Sequence, residues 1–363
     1  MKIGIIGGGN LGSVLAVNFS LKNEVILYTN LVDKVDEYRS DMQVFCEDTN
    51  SYKTGKDIRY TTSLKELAEN SSYIFITFPS FMFEALANDL IPFLNNNHHL
   101  VFIPGSGGAE LFFKKALEKG ATITGLQRVH AIARIIEFGK LVKESGIKPK
   151  LKIASVPSSY NEKAAEDLNE LYDLPIERLN NYLNVTFVNS NPILHTSRLA
   201  TIFKDYPKTS KYESLPLFYE EWDDPSSSLL IKMDDELFQI IGKLKENGLD
   251  VDGVEPLLKY YESVDASSLT RKLSSIVAFK GIGTPSVKNE DGTFSPDLNS
   301  RYFTADFPYG LDILLSFGRT IGLNLSHMEM VSKWYHEISK NADSFSLEKF
   351  GINSLKDIID FYK

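Results

Sequence analysis

The chain has 363 residues, a formal net charge of −9 and one cysteine, Cys46. This length suits two domains with separate cores, and an acidic balance without a Lys/Arg cluster argues against nucleic acid or an anionic membrane as the main partner. No signal peptide or membrane-spanning run is evident and the lone cysteine excludes an intramolecular disulfide, so we expect a cytoplasmic protein with small-molecule partners.

The first predicted elements are a strand, a glycine-rich turn and a helix. Residues 2–6 have the composition of a buried parallel strand, and the Gly-x-Gly-x-x-Gly spacing follows them. Such a turn predicts a dinucleotide site, because a glycine does not hold the pyrophosphate away and the helix N-terminus offers unpaired N–H groups. A strand at residues 24–28 completes the βαβ unit, although an ordinary glycine-rich turn is the alternative. The candidate cofactor-binding residues of this turn are Gly7, Gly9, Asn10, Leu11 and Gly12.

Strands and helices continue to alternate through the first half of the chain. Further strands are predicted at residues 58–61, 73–78, 100–103, 121–126, 151–156 and 185–188. This order predicts a Rossmann-type α/β fold with a doubly wound parallel sheet, in which ligands lie beyond the carboxyl ends of the strands. Pro79 and Gly105 follow two such strands and are therefore candidate cofactor contacts, although glycine-rich strand ends also form plain turns.

The residues after the second strand bear on the choice of cofactor. NAD sites usually place Asp or Glu there for the ribose hydroxyl, whereas this chain has Thr29 and Asn30. Both can donate hydrogen bonds to a 2′-phosphate, and Lys34 or Arg39 can supply a counter-charge. The sequence therefore favours NADP (NADPH), with NAD as the alternative, unless Thr29 and Asn30 form only a turn.

The second half of the chain has the apolar spacing of helices. Leu237, Ile240, Ile241 and Leu244 fall at i, i+3, i+4 and i+7. We therefore predict a dinucleotide-binding domain at residues 1–188 and an all-α domain at residues 189–363. Residues 280–299 are rich in Gly, Pro, Ser and Asn, which predicts a loop long enough to act as a lid.

Two polar positions stand out in the helical half. Asn191 and Pro192 predict a helix start with Asn191 as the cap, which places His195 in the first helical turn. A helix N-terminus disfavours a protonated histidine, and a carboxylate such as that of Asp306 would offset this effect. The residue types alone favour a plainer interpretation, in which His195 is structural and Asp306 caps a helix that begins near Pro308.

Several strings resemble those of the opine dehydrogenase family, which includes octopine and nopaline dehydrogenases. They are the glycine turn, IPGSGG at 103–108, NPILHTS at 191–197, FYEEW at 218–222, FKGIG at 279–283 and NSRYFTADFPYGL at 299–311. The resemblance covers most of the chain. It implies a Rossmann domain followed by an all-helical domain, and reductive condensation of a 2-oxo acid with the amino group of an amino acid by NAD(P)H through an imine. The family permits monomers and homodimers.

The resemblance also implies residue roles. The catalytic histidine of the family falls on His195, its partner aspartate on Asp306 and its carboxylate-binding arginine on Arg301. Gln127 is a further candidate substrate contact, although the stretch 125–134 matches the family less well, and His130 in that stretch fits a structural role better. His195 would donate the proton that assists loss of water, and Arg301 would hold the 2-oxo acid by two hydrogen bonds.

Two other functions also fit the sequence. A two-domain reductase of a simple 2-oxo acid, of the ketopantoate reductase or glycerol-phosphate dehydrogenase type, would oxidise NADPH without an amine. A non-catalytic nucleotide sensor would bind the nucleotide without turnover. No metal is expected in any of these cases, because the six histidines show no metal-ligand spacing.

Overall fold

The structure is a computed structural model that describes residues 1–340 and 344–363. The chain divides into two compact units. The first unit contains Met1–Thr186 and the last two residues, Tyr362–Lys363, and the second unit contains Phe187–Phe361. The domain boundary was expected after residue 188, and the division in the structure falls after Thr186. Among the described residues, no helix has the length and apolarity needed to cross a membrane.

The first unit contains two β-sheets with helices between their strands. Its strands are β1 (Lys2–Ile6), β2 (Glu24–Tyr28), β3 (Gln43–Cys46), β4 (Ser51–Thr54), β5 (Arg59–Thr61), β6 (Tyr73–Ile76), β7 (His99–Phe102), β8 (Thr122–Leu126), β9 (Ile132–Glu137), β10 (Leu141–Ser145), β11 (Leu151–Val156) and β12 (Ile176–Arg178). Its α-helices are α1 (Asn10–Ser20), α2 (Leu64–Glu69), α3 (Phe83–Leu90), α4 (Ala109–Phe112), α5 (Lys114–Glu118), α6 (Asn161–Tyr172) and α7 (Leu183–Thr186). Short 3₁₀ turns lie at Val32–Glu37, Ser80–Met82, Ile91–Phe93 and Ser158–Tyr160.

The larger sheet has eight strands in the order β12-β11-β8-β7-β6-β1-β2-β5. Strand β1 pairs in parallel with β2 and β6, and the parallel pairing continues through β7 to β8, whereas β11 runs antiparallel to β8. The predicted Rossmann-type fold is therefore confirmed, with one antiparallel pair that was not expected. Because β1, β2, β6 and β7 are parallel, the residues that follow them lie at one edge of the sheet.

The smaller sheet was missed by the sequence analysis. It has four strands in the order β4-β3-β10-β9, and its buried Val44 and Val142 share a core with Val14 and Val17 of α1. Exposed and buried residues interleave along β3 and β9, and β4 has no buried residue. Strands of this kind lack the continuous apolar run by which the strands of the larger sheet were recognised.

The strand predicted at residues 185–188 is wrong. Residues 183–186 form the short helix α7, and all four are buried. The Asn181 side chain accepts a hydrogen bond from the Leu183 amide at 2.9 Å, and the Asn181 carbonyl accepts one from the Asn184 amide at 3.1 Å. These bonds turn the chain before the β-branched residues can extend.

The second unit is mainly helical. Its α-helices are α8 (Thr196–Ile202), α9 (Asp224–Glu246), α10 (Leu257–Tyr260), α11 (Ala266–Ser275), α12 (Arg301–Thr304), α13 (Asp312–Thr320), α14 (Ser326–Ser339) and α15 (Leu355–Tyr362), whose last residue belongs to the first unit. Two π-helical turns, Ser190–His195 and Phe307–Leu311, precede α8 and α13. Two 3₁₀ turns lie at Val277–Phe279 and Leu347–Phe350.

The helical unit also contains a two-stranded hairpin, so the expectation of an all-α domain needs this correction. Strands β13 (Ser286–Lys288) and β14 (Phe294–Pro296) lie within residues 280–299, which were expected to be a loop. The Asn289 amide donates to the Thr293 carbonyl at 2.8 Å, and Gly292 has a φ of +87°. The Asp291-Gly292 pair is a hairpin turn signal that the composition argument overlooked. A lid function for this segment stays a prediction.

Candidate active site

His195 and Asp306 are in direct contact within the second unit, although 111 positions separate them in the chain. His195 Nδ1 lies 2.8 Å from Asp306 Oδ2, and the two side chains are 13% and 17% exposed. Asp306 stands at the N-cap position of the π-helical turn Phe307–Leu311, but its side chain makes no cap hydrogen bond there. The alternative in which Asp306 serves as a helix cap is therefore wrong, and its carboxylate is used to hold the imidazole.

The predicted helix start before His195 is wrong in its details. The helical residues begin at Ser190, so Asn191 is not the cap and Pro192 is not the first helical residue. His195 is the last residue of this π-helical turn and is followed directly by α8. His195 is therefore the sixth residue of this helical segment and lies outside its first turn, where a helix N-terminus would act on it.

Asn189, which precedes the turn, is anchored by a buried carboxylate. Its side-chain amide donates one hydrogen bond to Asp234 Oδ1 at 2.7 Å and one to the Glu255 carbonyl at 2.9 Å. Asp234 also accepts a hydrogen bond from the Leu257 amide at 2.7 Å. Burial raises the pKa of the Asp234 carboxyl to about 6. This network fixes the chain at the start of the turn that ends at His195.

The second ring nitrogen of His195 contacts a tyrosine that the sequence analysis did not single out. Nε2 lies 2.7 Å from the Tyr219 hydroxyl, and Tyr219 is only 5% exposed. Burial is the largest cause that raises the pKa of Tyr219, and the neighbouring Tyr302 raises it further. The Tyr302 ring in turn packs against the imidazole, with centroids 4.6 Å apart. The FYEEW string contained Tyr219, but only as part of a resemblance.

A buried arginine fixes the turn that contains Tyr219. Arg198 on α8 is fully buried and donates to the Phe218 carbonyl at 3.1 Å and to the Glu221 carbonyl at 2.6 Å. It also forms an ion pair with Asp223 at 2.9 Å. Because Arg198 lies three residues after His195, it links the histidine segment to the tyrosine turn. No sequence pattern distinguished this arginine from a surface residue.

Arg301 has an exposed side chain on the short helix that precedes Asp306. It is the first residue of α12, five positions before Asp306. Within residues 1–340 and 344–363, its guanidinium has no ion-pair or hydrogen-bond partner. The neighbouring residue, Tyr302, contacts the imidazole ring, so Arg301 and the His195–Asp306 pair belong to the same part of the second unit.

The glycine turn of the first unit has the geometry that a dinucleotide needs. Gly7 has a φ of +114°, and a Cβ on Gly12 would lie 1.8 Å from the Gly7 carbonyl oxygen, so helix and strand approach closely there. A Cβ on Gly9 would meet no atom within 4 Å, which leaves open space beside the backbone. Helix α1 begins at Asn10 and has no acidic residue in its first turn. These features fit a pyrophosphate at the helix N-terminus.

The residues after β2 differ in their accessibility. Thr29 is 1% exposed and its hydroxyl oxygen accepts the Leu31 amide at 3.2 Å, whereas Asn30 is exposed. Lys34 is exposed, and its Nζ lies 5.1 Å from the centre of the Phe138 ring. The Arg39 guanidinium is paired with Asp41 at 2.9 Å. Asn30 and Lys34 are therefore the accessible members of the predicted set.

Of the other predicted contacts in the first unit, Gly105 and Gln127 have hydrogen-bond partners within the unit. Pro79 follows β6, and the buried Gly105 follows β7 and accepts a hydrogen bond from the Tyr182 hydroxyl at 3.0 Å. Gln127 donates its side-chain amide to the Asn184 carbonyl at 2.9 Å.

His130 was expected to be structural, and its surroundings are consistent with that role. It is 3% exposed and its Nε2 lies 3.3 Å from Glu144, which is also buried.

Comparison with known proteins gives the same division of the chain. Residues 178–339 match the family of the NAD/NADP octopine/nopaline dehydrogenase alpha-helical domain, and residues 2–135 match the N-terminus of NAD-dependent glycerol-3-phosphate dehydrogenase.

Full-length relatives and a solved structure are also similar. The chain is 26% identical to tauropine dehydrogenase of Arabella iricolor, over 92% of this chain and 90% of that protein, and 24% identical to opine dehydrogenase of Haliotis discus hannai, over 91% and 88%. A solved structure of octopine dehydrogenase with NADH and L-arginine has the same fold, with a TM-score of 0.87 at 18% identity over 99% of this chain and 97% of that one. Over nearly its whole length the chain is therefore similar to NAD(P)H-dependent oxidoreductases of the opine dehydrogenase family.

Proposed function

We propose that this protein joins a 2-oxo acid to the amino group of an amino acid and reduces the resulting imine with NAD(P)H. The main support is the contact of His195 with Asp306, together with Arg301, which lies five positions before Asp306 and has no ion-pair partner among the described residues. The relatives named tauropine, opine and octopine dehydrogenase support the same reaction class.

The His195–Asp306 pair suits the loss of water that precedes reduction. Addition of the amine to the ketone produces a carbinolamine, whose hydroxyl leaves as water only when it receives a proton. An imidazole can supply that proton near neutral pH, and such general acid catalysis is typically worth 10²- to 10⁴-fold in rate. The Asp306 carboxylate accepts the hydrogen of Nδ1, so it orients the ring and stabilises its protonated form.

Arg301 suits the carboxylate of the 2-oxo acid. A guanidinium binds a carboxylate through two parallel hydrogen bonds, which fixes the orientation of the adjacent keto carbon. The exposed position of Arg301, without an internal ion pair in the described part of the chain, leaves the group available for this contact.

The cofactor residues of the first unit complete the proposal. The nicotinamide supplies the hydride when it is bound, and we assign the pyrophosphate to the turn formed by Gly7, Gly9 and Gly12 with the N-terminus of α1. NADPH is proposed as the preferred donor, because no carboxylate directly follows β2 and because Asn30 and Lys34 are accessible to a 2′-phosphate.

Amine dependence is the decisive experiment. NADPH oxidation is measured by absorbance with pyruvate, 2-oxoglutarate or glyoxylate, each alone and with a panel of amino acids. We expect oxidation only when both substrates are present. Oxidation with a 2-oxo acid alone, unaffected by amines, would instead identify a simple reductase. Nucleotide binding without turnover under any combination would indicate a sensor.

His195→Ala tests the assignment of the acid. We expect turnover to fall about a hundredfold or more while the affinity for NADPH, followed by its fluorescence, stays near that of the wild type. An unchanged rate would remove His195 from the mechanism.

A cytoplasmic location and a monomeric or dimeric state stay predictions from the sequence.

A further inference from the structure

One partner of His195 has no role in the chemistry proposed above. Both ring nitrogens are engaged, Nδ1 with Asp306 at 2.8 Å and Nε2 with the Tyr219 hydroxyl at 2.7 Å. A carboxylate can only accept a hydrogen bond, so Nδ1 carries the hydrogen that points to Asp306. Nε2 is therefore the nitrogen that exchanges the catalytic proton, and a hydroxyl group stands directly against it.

Tyr219 is held in this position from several sides. Its ring stacks on Phe279 with centroids 4.2 Å apart and planes 22° apart, and it packs edge-on against Phe218 at 4.8 Å. The buried Arg198 donates hydrogen bonds to the Phe218 carbonyl and, at the end of the same turn, to the Glu221 carbonyl. Movement of the Tyr219 ring away from His195 would break these contacts.

We propose that the Tyr219 hydroxyl relays the proton between His195 Nε2 and the substrate. The inference rests on the proposed function. In the dehydration step, Nε2 of the protonated imidazole gives its proton to the Tyr219 oxygen while the hydrogen of that hydroxyl passes to the departing oxygen of the carbinolamine. The C–O bond breaks, water leaves, and the nitrogen lone pair forms the C=N bond. His195 ends neutral, and Tyr219 is neutral before and after.

Two further observations suit a relay. Burial raises the pKa of Tyr219, so the residue stays a neutral hydroxyl that accepts one proton only as it releases another. Tyr302, whose ring packs on the same imidazole with centroids 4.6 Å apart, is less buried than Tyr219 and directly follows Arg301. The imidazole that the Tyr219 hydroxyl contacts therefore borders the segment that contains the proposed carboxylate site.

Tyr219→Phe is the test, because it removes one oxygen and keeps the stacked ring. Tyr335→Phe is the matched control, since Tyr335 is also 5% exposed and stacks on an aromatic ring, that of Phe307 at 4.3 Å. We expect Tyr219→Phe to lower kcat on the order of a hundredfold with little change in either KM, and Tyr335→Phe to stay near wild type. Wild-type or higher kcat in Tyr219→Phe would show that Nε2 acts directly and would overturn the relay.

A proton inventory separates a relay from a positioning role. Single-turnover rates are measured in mixtures of H₂O and D₂O, and the wild type is expected to show a curved dependence with two protons in transfer. A linear, one-proton dependence in the wild type overturns the relay even if Tyr219→Phe is slow, because Tyr219 would then only orient the imidazole.

A third readout does not depend on activity. The ¹⁵N shift of His195 Nε2 is expected to change in Tyr219→Phe and not in Tyr335→Phe, and an unchanged shift would contradict the hydrogen bond on which the relay depends. Failure of the proposed function is recognised separately, as a wild type without amine-dependent turnover.

Discussion

Asp306 occupies the N-cap position of a π-helical turn, yet it directs its carboxylate to His195 at 2.8 Å. A cap aspartate normally accepts hydrogen bonds from the amides of its own helix. Here the side chain makes no cap hydrogen bond and instead contacts a histidine from a distant part of the chain. Such an arrangement is expected where function takes precedence over local stability.

Asp306→Asn is expected to reduce kcat on the order of a hundredfold. The amide has nearly the same size as the carboxylate, but it lacks the charge that stabilises a protonated imidazole. Initial rates with saturating substrates measure the effect. In a His195→Ala background, the second substitution should have little further effect, since the two residues act as one unit. Full additivity of the two losses would show that they act independently.

Arg301→Gln is expected to raise the KM for the 2-oxo acid about tenfold to a hundredfold. A charge-assisted pair of hydrogen bonds is worth roughly 1.5 to 3 kcal/mol, and glutamine cannot replace it. The KM for the amino acid should change less. Arg271→Gln removes another exposed arginine of the same unit and serves as the control. An equal loss for both substrates would place Arg301 outside the specific site for the 2-oxo acid.

Asn30→Asp is expected to shift cofactor preference from NADPH toward NADH. The new carboxylate would repel a 2′-phosphate and accept a hydrogen bond from a ribose hydroxyl. Asn30 is suitable because it is exposed, whereas a charge introduced at Thr29 would be buried. The kcat/KM for NADPH divided by the kcat/KM for NADH should fall about tenfold or more. Asn97→Asp, in the exposed segment before β7 at the opposite edge of the sheet, controls for charge alone, and an equal shift in both variants would refute the assignment.

Asp234→Asn is expected to remove a pH dependence of stability between about pH 4 and pH 6. Burial raises the pKa of Asp234 from an ordinary value of 3.8 to about 6 in the folded protein. The folded state therefore favours the protonated acid, so the stability from this group is full below pH 4 and is lost as the pH rises through 6. The shift corresponds to up to about 3 kcal/mol, because each pKa unit is worth about 1.4 kcal/mol.

Melting temperatures of the wild type, Asp234→Asn and the exposed control Asp235→Asn, recorded from pH 4 to pH 7, measure this effect. The wild type should lose stability relative to Asp234→Asn as the pH rises and then level off above pH 6. A constant difference over this range would show that Asp234 does not titrate there. Asp235→Asn should follow the wild type, because Asp235 is exposed.

Patterns that act over a few residues were readable from the sequence. The spacing of Gly7, Gly9 and Gly12 after an apolar strand predicted the dinucleotide turn. Each glycine is required locally, Gly7 for its positive φ, Gly9 for open space and Gly12 for close packing of helix and strand. The parallel strands of the large sheet were recognised from continuous apolar runs. The small sheet was not, because its strands have exposed residues and its central pair, β3 with β10, joins segments about a hundred residues apart.

The sequence by itself determined the two kinds of unit and the glycine turn and, through a family resemblance, predicted the roles of His195, Asp306 and Arg301. Only the tertiary structure decided that the imidazole touches Asp306 on one nitrogen and Tyr219 on the other. No local pattern encodes these contacts, because hydrogen bonds between residues 24 and 111 positions apart depend on how the helices pack. The hydrogen bonds of the buried Arg198 to the Phe218 and Glu221 carbonyls also depend on tertiary packing, since these partners lie on a turn about twenty residues further along the chain.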